Sequence, residues 1–229
     1  EEMDESLRFT HQMQAELRKA IINDELEIAY QPIVSSHDRE IESCEALLRW
    51  SHPVMGPVSP SVFVPLAEHS GLIEPLGQWV MRQVFADRDG LNGHPVSINL
   101  SPLQIMAPNF IADVERLVEE FRIDPATVVF EVTEGVLLDS STHVLSVLGK
   151  LNMMGFRIAL DDFGTGYSSL SYLRLFKFDR IKIDRSFVQN IENDLNAQAI
   201  LCSIVSLGKA LRMKIVAEGV ETVVQQQLV

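Results

Sequence analysis

Leu26-Glu27-Ile28-Ala29-Tyr30-Gln31-Pro32, the polar run Ser35-Ser36-His37-Asp38-Arg39-Glu40, and Ile41-Glu42-Ser43-Cys44-Glu45-Ala46-Leu47-Leu48-Arg49-Trp50 decide the fold. Leu26, Ile28 and Tyr30 alternate with Glu25, Glu27 and Ala29, the period of a half-buried strand. Ile41 to Trp50 reads as a second strand. A parallel crossover needs about a dozen residues or more, usually with a helix. The polar run is shorter than that, so the first two strands are expected to be antiparallel.

Downstream the rhythm becomes strand, helix, strand. Ser59-Pro60 has the cap-then-proline signature of a helix start. It leads into 61–69 and then 73–87 as helices. Strands are expected at 96–100, 128–132, 157–160, 180–183 and 214–217. Helices are expected at 110–121, at 142–154 closed by Gly155, from near Ser168, and at 196–211. A last helix begins after Glu218-Gly219. Seven strands, most separated by helices, predict an α/β fold with a mainly parallel sheet. No Gly-rich phosphate loop follows the first strand, which counts against a dinucleotide fold and favours a TIM-like (β/α) barrel.

Upstream, Leu7, Met13, Leu17 and Ile21 recur at helical spacing over 4–23. This reads equally as a helix joining residues 1–24 to an upstream domain and as a packing helix. Residue 1 is not methionine, so the chain is expected to be part of a longer protein.

Among 229 residues, 46% are hydrophobic, which suits one α/β domain. The 32 acidic residues outnumber the 19 basic ones, for a net charge of −13. Polymeric nucleic acid is therefore a disfavoured partner. No run of about 18 apolar residues appears, so no membrane segment is expected. Cys44 and Cys202 sit in apolar runs and read as reduced core thiols, which points to the cytoplasm.

The polar residues inside or ending the apolar strands carry the functional signal. They are Glu45, Asn99, Glu131, the pair Asp161-Asp162, Lys182 and Glu218. In a barrel the C-terminal ends of the strands converge on one face. A carboxylate in an apolar strand is costly unless it is paired or metal-bound. Several converging carboxylates repel unless cations sit between them. Oxygen ligands of this kind suit Mg²⁺, Mn²⁺ or Ca²⁺. Gly164 and Gly166 allow the turns that a loop after Asp161-Asp162 needs.

Seven segments, in order, resemble the EAL family of cyclic di-GMP phosphodiesterases. They are Tyr30-Gln31-Pro32-Ile33-Val34, Glu45-Ala46-Leu47-Leu48-Arg49-Trp50, Asn99-Leu100-Ser101, Glu131-Val132-Thr133-Glu134, Asp161 through Leu170, Lys182 through Phe187, and Ala217-Glu218-Gly219-Val220-Glu221. The resemblance runs from about Leu17 to the last residue. It implies a barrel whose domain occupies 25–229 and is incomplete at its C-terminus, with the eighth strand and its glutamine beyond Val229. Seven strands alone would leave an open seam.

The resemblance also implies roles. Glu45, Asn99, Glu131 and Asp161 would bind a first Mg²⁺ or Mn²⁺, and Asp161 with Asp162 a second. Lys182 would orient or polarise the attacking water, and Glu218 would support it or its proton transfer. Arg49 would pair with a substrate phosphate, and Gln31, Leu47 and Asp184 would line the nucleotide site. Glu134 would anchor the Asp161-Asp162-Phe163-Gly164 loop, which shapes a homodimer interface in the family. The implied reaction opens cyclic di-GMP to linear pGpG under an upstream sensor domain. A non-catalytic cyclic di-GMP receptor and a different metal-dependent barrel hydrolase are the competing readings.

Overall fold

A computed structural model describes residues 2–23, 25–138, 142–164 and 170–228. Thr165 to Ser169, including the turn expected at Gly166 and the helix onset expected near Ser168, lie outside the described residues.

The strands are β1 (Leu26–Val34), β2 (Ile41–His52), β3 (Gly56–Val58), β4 (Val96–Leu100), β5 (Val128–Thr133), β6 (Arg157–Phe163), β7 (Arg180–Ile183) and β8 (Lys214–Ala217). They form one curled sheet ordered β1-β2-β4-β5-β6-β7-β8, with β3 on the side of β2. β1 pairs antiparallel with β2, placing Gln31 opposite Glu45. From β2 to β8 along that order every pairing is parallel. Among the described residues β1 and β8 are the two ends of the path and do not pair with each other. The short strand β3 has no counterpart in the sequence expectation. It folds back on the end of β2 through a turn that Gly56 permits with φ +72°.

Alternation along each strand sorts the residues into two faces. Ala46, Ile98, Leu100, Phe130, Val132, Ile158, Leu160, Ile181 and Ile183 point outward into one large core. Helices Ile73–Ala86, Phe110–Phe121, Thr142–Met153 and Leu195–Ala210 cover that face with Met81, Phe85, Val114, Leu117, Leu148, Leu151 and Leu201. The inner face carries the polar alternates, including Ser43, Glu45, Ser97, Glu131, Asp161, Arg180 and Lys182, and this arrangement creates the site.

A second core cluster fastens the N-terminal helix (Glu2–Ile22). Met13, Leu17 and Ala20 pack with Leu26, Trp50, Phe63 and Leu76. Trp50 meets Phe63 edge-on at 5.7 Å. The helix is thus held against the end of β2, the strand that carries Glu45 and Arg49.

One expectation is corrected. Cys44 is buried, but Cys202 is exposed rather than in the core. Its helix buries Leu201, Ile204 and Gly208. A step of one residue from Leu201 rotates Cys202 by roughly 100° toward solvent.

Candidate active site

Glu45 projects from β2, Asn99 from β4, Glu131 from β5, Asp161 and Asp162 from β6, and Lys182 from β7. Glu218 directly follows β8. The Lys182 ammonium is the hub. Its Nζ lies 3.0 Å from Glu45 Oε2, 2.6 Å from Glu131 Oε2, 3.1 Å from Asp161 Oδ2 and 2.8 Å from Glu218 Oε1. Asn99 Nδ2 donates to the other oxygen of Glu45 at 2.8 Å. The strand end behind Asn99 is pinned in turn. Ser101 caps the helix Pro102–Met106 and donates to Glu68 Oε1 at 2.6 Å.

Adjacent residues on a regular strand face opposite ways, so Asp161 and Asp162 should diverge. The backbone departs from regularity there. Leu160 pairs with Ile181 and Phe163 with Ile183, so three steps on β6 face two on β7. This extra residue is a bulge, and bulges re-aim side chains. Asp162 also adopts φ +53°, a left-handed conformation that aspartate tolerates better than most residues. As a result, one oxygen each from Asp161, Asp162 and Glu218 lie within 4.8 Å of one another.

The electrostatics are unbalanced. One ammonium faces four carboxylates, and Asp162 adds a fifth nearby. Burial alone would push Lys182 down, yet Glu131, Asp161 and Glu45 hold it well above the ordinary lysine value. Glu131 is pushed up to about 7, first by burial and then by Glu45 and Asp161, against the pull of Lys182. Burial, then Asp161 and Asp184, raise Asp162. Burial also raises Glu218, with Lys182 opposing.

This donor set fits divalent cations. Glu131 Oε1 is buried and accepts no hydrogen bond. Such an orphan is costly unless something else satisfies it. The donors are oxygens apart from Lys182, which suits hard ions such as Mg²⁺, Mn²⁺ and Ca²⁺.

The other expected residues surround this centre. Leu47 and Arg49 follow Glu45 by two and four positions on the same face of β2, toward the rim. Arg49 Nη1 donates to Leu48 O at 3.0 Å, and the guanidinium forms no ion pair among the described residues. Gln31 is exposed on β1 opposite Glu45. Asp184 follows β7 and accepts from Ser186 N at 2.9 Å; the Ser186 side chain first, and then backbone N–H groups, hold it below the usual carboxylate range. Glu134 Oε2 accepts from Gly164 N at 3.3 Å, which ties the end of β5 to the loop after β6.

A sequence profile described as "EAL domain" matches residues 14–229. The chain belongs to the EAL family. A relative from Caulobacter vibrioides, named an uncharacterized signaling protein, is 42% identical over 96% of this chain and 27% of its own length. MucR of Pseudomonas aeruginosa, named a bifunctional diguanylate cyclase/cyclic di-GMP phosphodiesterase, is 40% identical over 97% of this chain and 33% of its length. The solved PaMucR phosphodiesterase in complex with c-di-GMP superposes with a TM-score of 0.88. It is 39% identical, and the match covers 95% of this chain and 90% of that one. The chain thus spans about a third or less of the curated relatives named here. Among the described residues no helix is long and apolar enough to cross a membrane.

Looking for polar residues at strand ends passes over Arg180 and its partners Ser43 and Ser97, which lie deeper in the barrel. The signal was present. Arg180 is a charge in an apolar strand, two positions before Lys182. The closeness of Glu218 to the aspartate pair also makes it a candidate ligand, a place the sequence reading did not give it.

Proposed function

We propose that this EAL chain hydrolyses cyclic di-GMP to linear pGpG, using two divalent cations, Mg²⁺ or Mn²⁺. The observation that carries the reading is the meeting of Glu45, Glu131, Asp161 and Glu218 on Lys182, with Asp162 turned toward the same point. The cyclic di-GMP complex of the 39% identical phosphodiesterase supports the substrate.

Bound divalent cations would supply the charge that polarises a water and offsets charge growing on the phosphoryl oxygens. Glu45, Asn99, Glu131 and Asp161 would hold one ion. Asp161 and Asp162, with Glu218 beside them, would hold the other. Lys182 keeps the carboxylates together and orients the water. Glu218 would accept its proton. Arg49, without a carboxylate partner, would take a substrate phosphate, since a planar guanidinium matches phosphate in two-pronged geometry. Gln31, Leu47 and Asp184 would line the nucleotide site. Glu134, through Gly164, would anchor the loop after β6 at a homodimer interface. The longer relatives support an upstream regulatory domain, and we place the catalytic chain in the cytoplasm.

The test is incubation with cyclic di-GMP and Mg²⁺ or Mn²⁺, followed by separation of nucleotides. Formation of pGpG is expected. Binding of cyclic di-GMP without turnover at saturating metal would make the chain a receptor instead. Arg49→Ala should raise KM with little change in kcat, and an unchanged KM would contradict its phosphate role.

A further inference from the structure

Arg180 is a buried cation in the barrel interior. It is 5% exposed, and among the described residues it forms no salt bridge. Interiors of (β/α) barrels are ordinarily filled by branched aliphatic side chains. A buried charge that forms no ion pair is costly there. Here small residues leave the room an arginine needs: Ser43, Ser97 and Ala159 are each fully buried. Burial pulls Arg180 below the ordinary arginine value, opposed by Glu131 and Glu42. Arg180 also lines a pocket of about 290 Å³, together with Val129, Arg157, Asp179 and Lys214.

Its hydrogen bonds are informative. Arg180 Nη2 donates to Ser43 Oγ at 3.2 Å, and Nη1 donates to Ser97 Oγ at 3.4 Å. Ser43 precedes Glu45 by two on β2, Ser97 precedes Asn99 by two on β4, and Arg180 precedes Lys182 by two on β7. A strand repeats its facing every two residues, so each member lies one layer beneath its counterpart. The upper layer is joined by Lys182 to Glu45 at 3.0 Å and by Asn99 to Glu45 at 2.8 Å. The same three strands are therefore tied twice, once at the site and once under it.

We propose that Arg180, through Ser43 and Ser97, is a positioning residue that sets β2, β4 and β7 so that Glu45 and Asn99 meet on one divalent cation. This rests on the metal reading above. A fork of fixed geometry suits the role, because one guanidinium can hold two acceptors at a defined separation. Pure charge would act the other way. A positive group beneath a cation site repels the cation, so its removal would tighten metal binding.

The sign of the change in Mn²⁺ affinity decides between the two. Mn²⁺ alone is titrated calorimetrically into the protein and into Ser43→Ala, Ser97→Ala and Arg180→Met, with circular dichroism and Tm confirming the fold. Each serine variant keeps the charge and loses one prong. Its Kd for Mn²⁺ should rise about tenfold, the usual scale for loss of a group that orients a metal ligand. Arg180→Met should rise at least as much. An unchanged or lower Kd in the folded serine variants would overturn the proposal, even if Arg180→Met does not fold. A parent that binds no Mn²⁺ would overturn both the metal reading and this inference. A parent that binds Mn²⁺ without hydrolysing cyclic di-GMP would remove only the catalytic reading, and the Kd comparison would still decide the role of Arg180.

Discussion

Lys182 Nζ lies 2.6 Å from Glu131 Oε2 in the barrel interior, and both side chains are shut off from solvent. The pair is the innermost part of a cluster in which one ammonium answers four carboxylates. Removing one partner of a buried ion pair leaves an uncompensated charge, at a cost of about 3–5 kcal/mol. In a domain of this size that lowers Tm by roughly 6–20 °C. Lys182→Met should therefore melt well below the parent without metal. Added Mn²⁺ should raise its Tm more than it raises that of the parent. A metal-free Tm equal to the parent's would show that the ammonium does not hold the carboxylates together.

The pH dependence of stability follows from Glu131. Its folded value of about 7 lies above the ordinary 4.5, so the folded state holds the proton more tightly than the unfolded one. Its contribution is full below about pH 4.5 and is lost as pH rises toward 7. Burial moves Glu218 and Asp162 in the same direction. Metal-free protein should lose Tm between about pH 5 and about pH 7.5, and Glu131→Gln should flatten that slope. Equal slopes in parent and variant, measured by calorimetry, would contradict this assignment.

Asp162 separates backbone from side-chain effects. Its φ of +53° suits aspartate and asparagine and strains most other residues. Asp162→Asn should keep the parent's Tm to within a few degrees and lose most turnover. Asp162→Ala should lose turnover and also about 1–2 kcal/mol of stability, since alanine pays for the left-handed conformation. Chemical denaturation of both variants checks the difference.

Gly164 is constrained twice. It has φ +95°, and an added Cβ would lie 2.6 Å from Phe187 Cζ. Its N–H also donates to Glu134. Gly164→Ala should cost about 1–3 kcal/mol through strain and overpacking. Glu134→Gln keeps an acceptor for that N–H and should change stability little. If Gly164→Ala is as stable as the parent by urea denaturation, the loop is not held as described.

Most of the fold was legible because its signals are local. The short polar link between Pro32 and Ile41 forces an antiparallel pair, and β4 and β7 have the bounds that apolar alternation gave. The convergence of Glu45, Glu131, Asp161 and Glu218 was legible because carboxylates in apolar strands need a common explanation. The bulge at Asp161-Asp162 was not, because it exists only as a mismatch between β6 and β7. Arg180 escaped for a related reason. Its partners are 83 and 137 positions away in sequence, and two serines carry no charge to advertise the contact. The exposure of Cys202 depended on helix phase, which a count of apolar neighbours ignores.

The central claim is that dispersed carboxylates meet at one rim and bind cations that serve phosphodiester cleavage. Its most direct test is pGpG formation by chelator-stripped protein as Mn²⁺ is restored, compared with Glu45→Gln and Asp161→Asn. The account predicts no turnover without metal, saturable recovery in the parent, and rates at least a hundredfold lower in both variants, about 2.7 kcal/mol of barrier. Full turnover in the stripped protein, or parent-like rates in either variant, would contradict it.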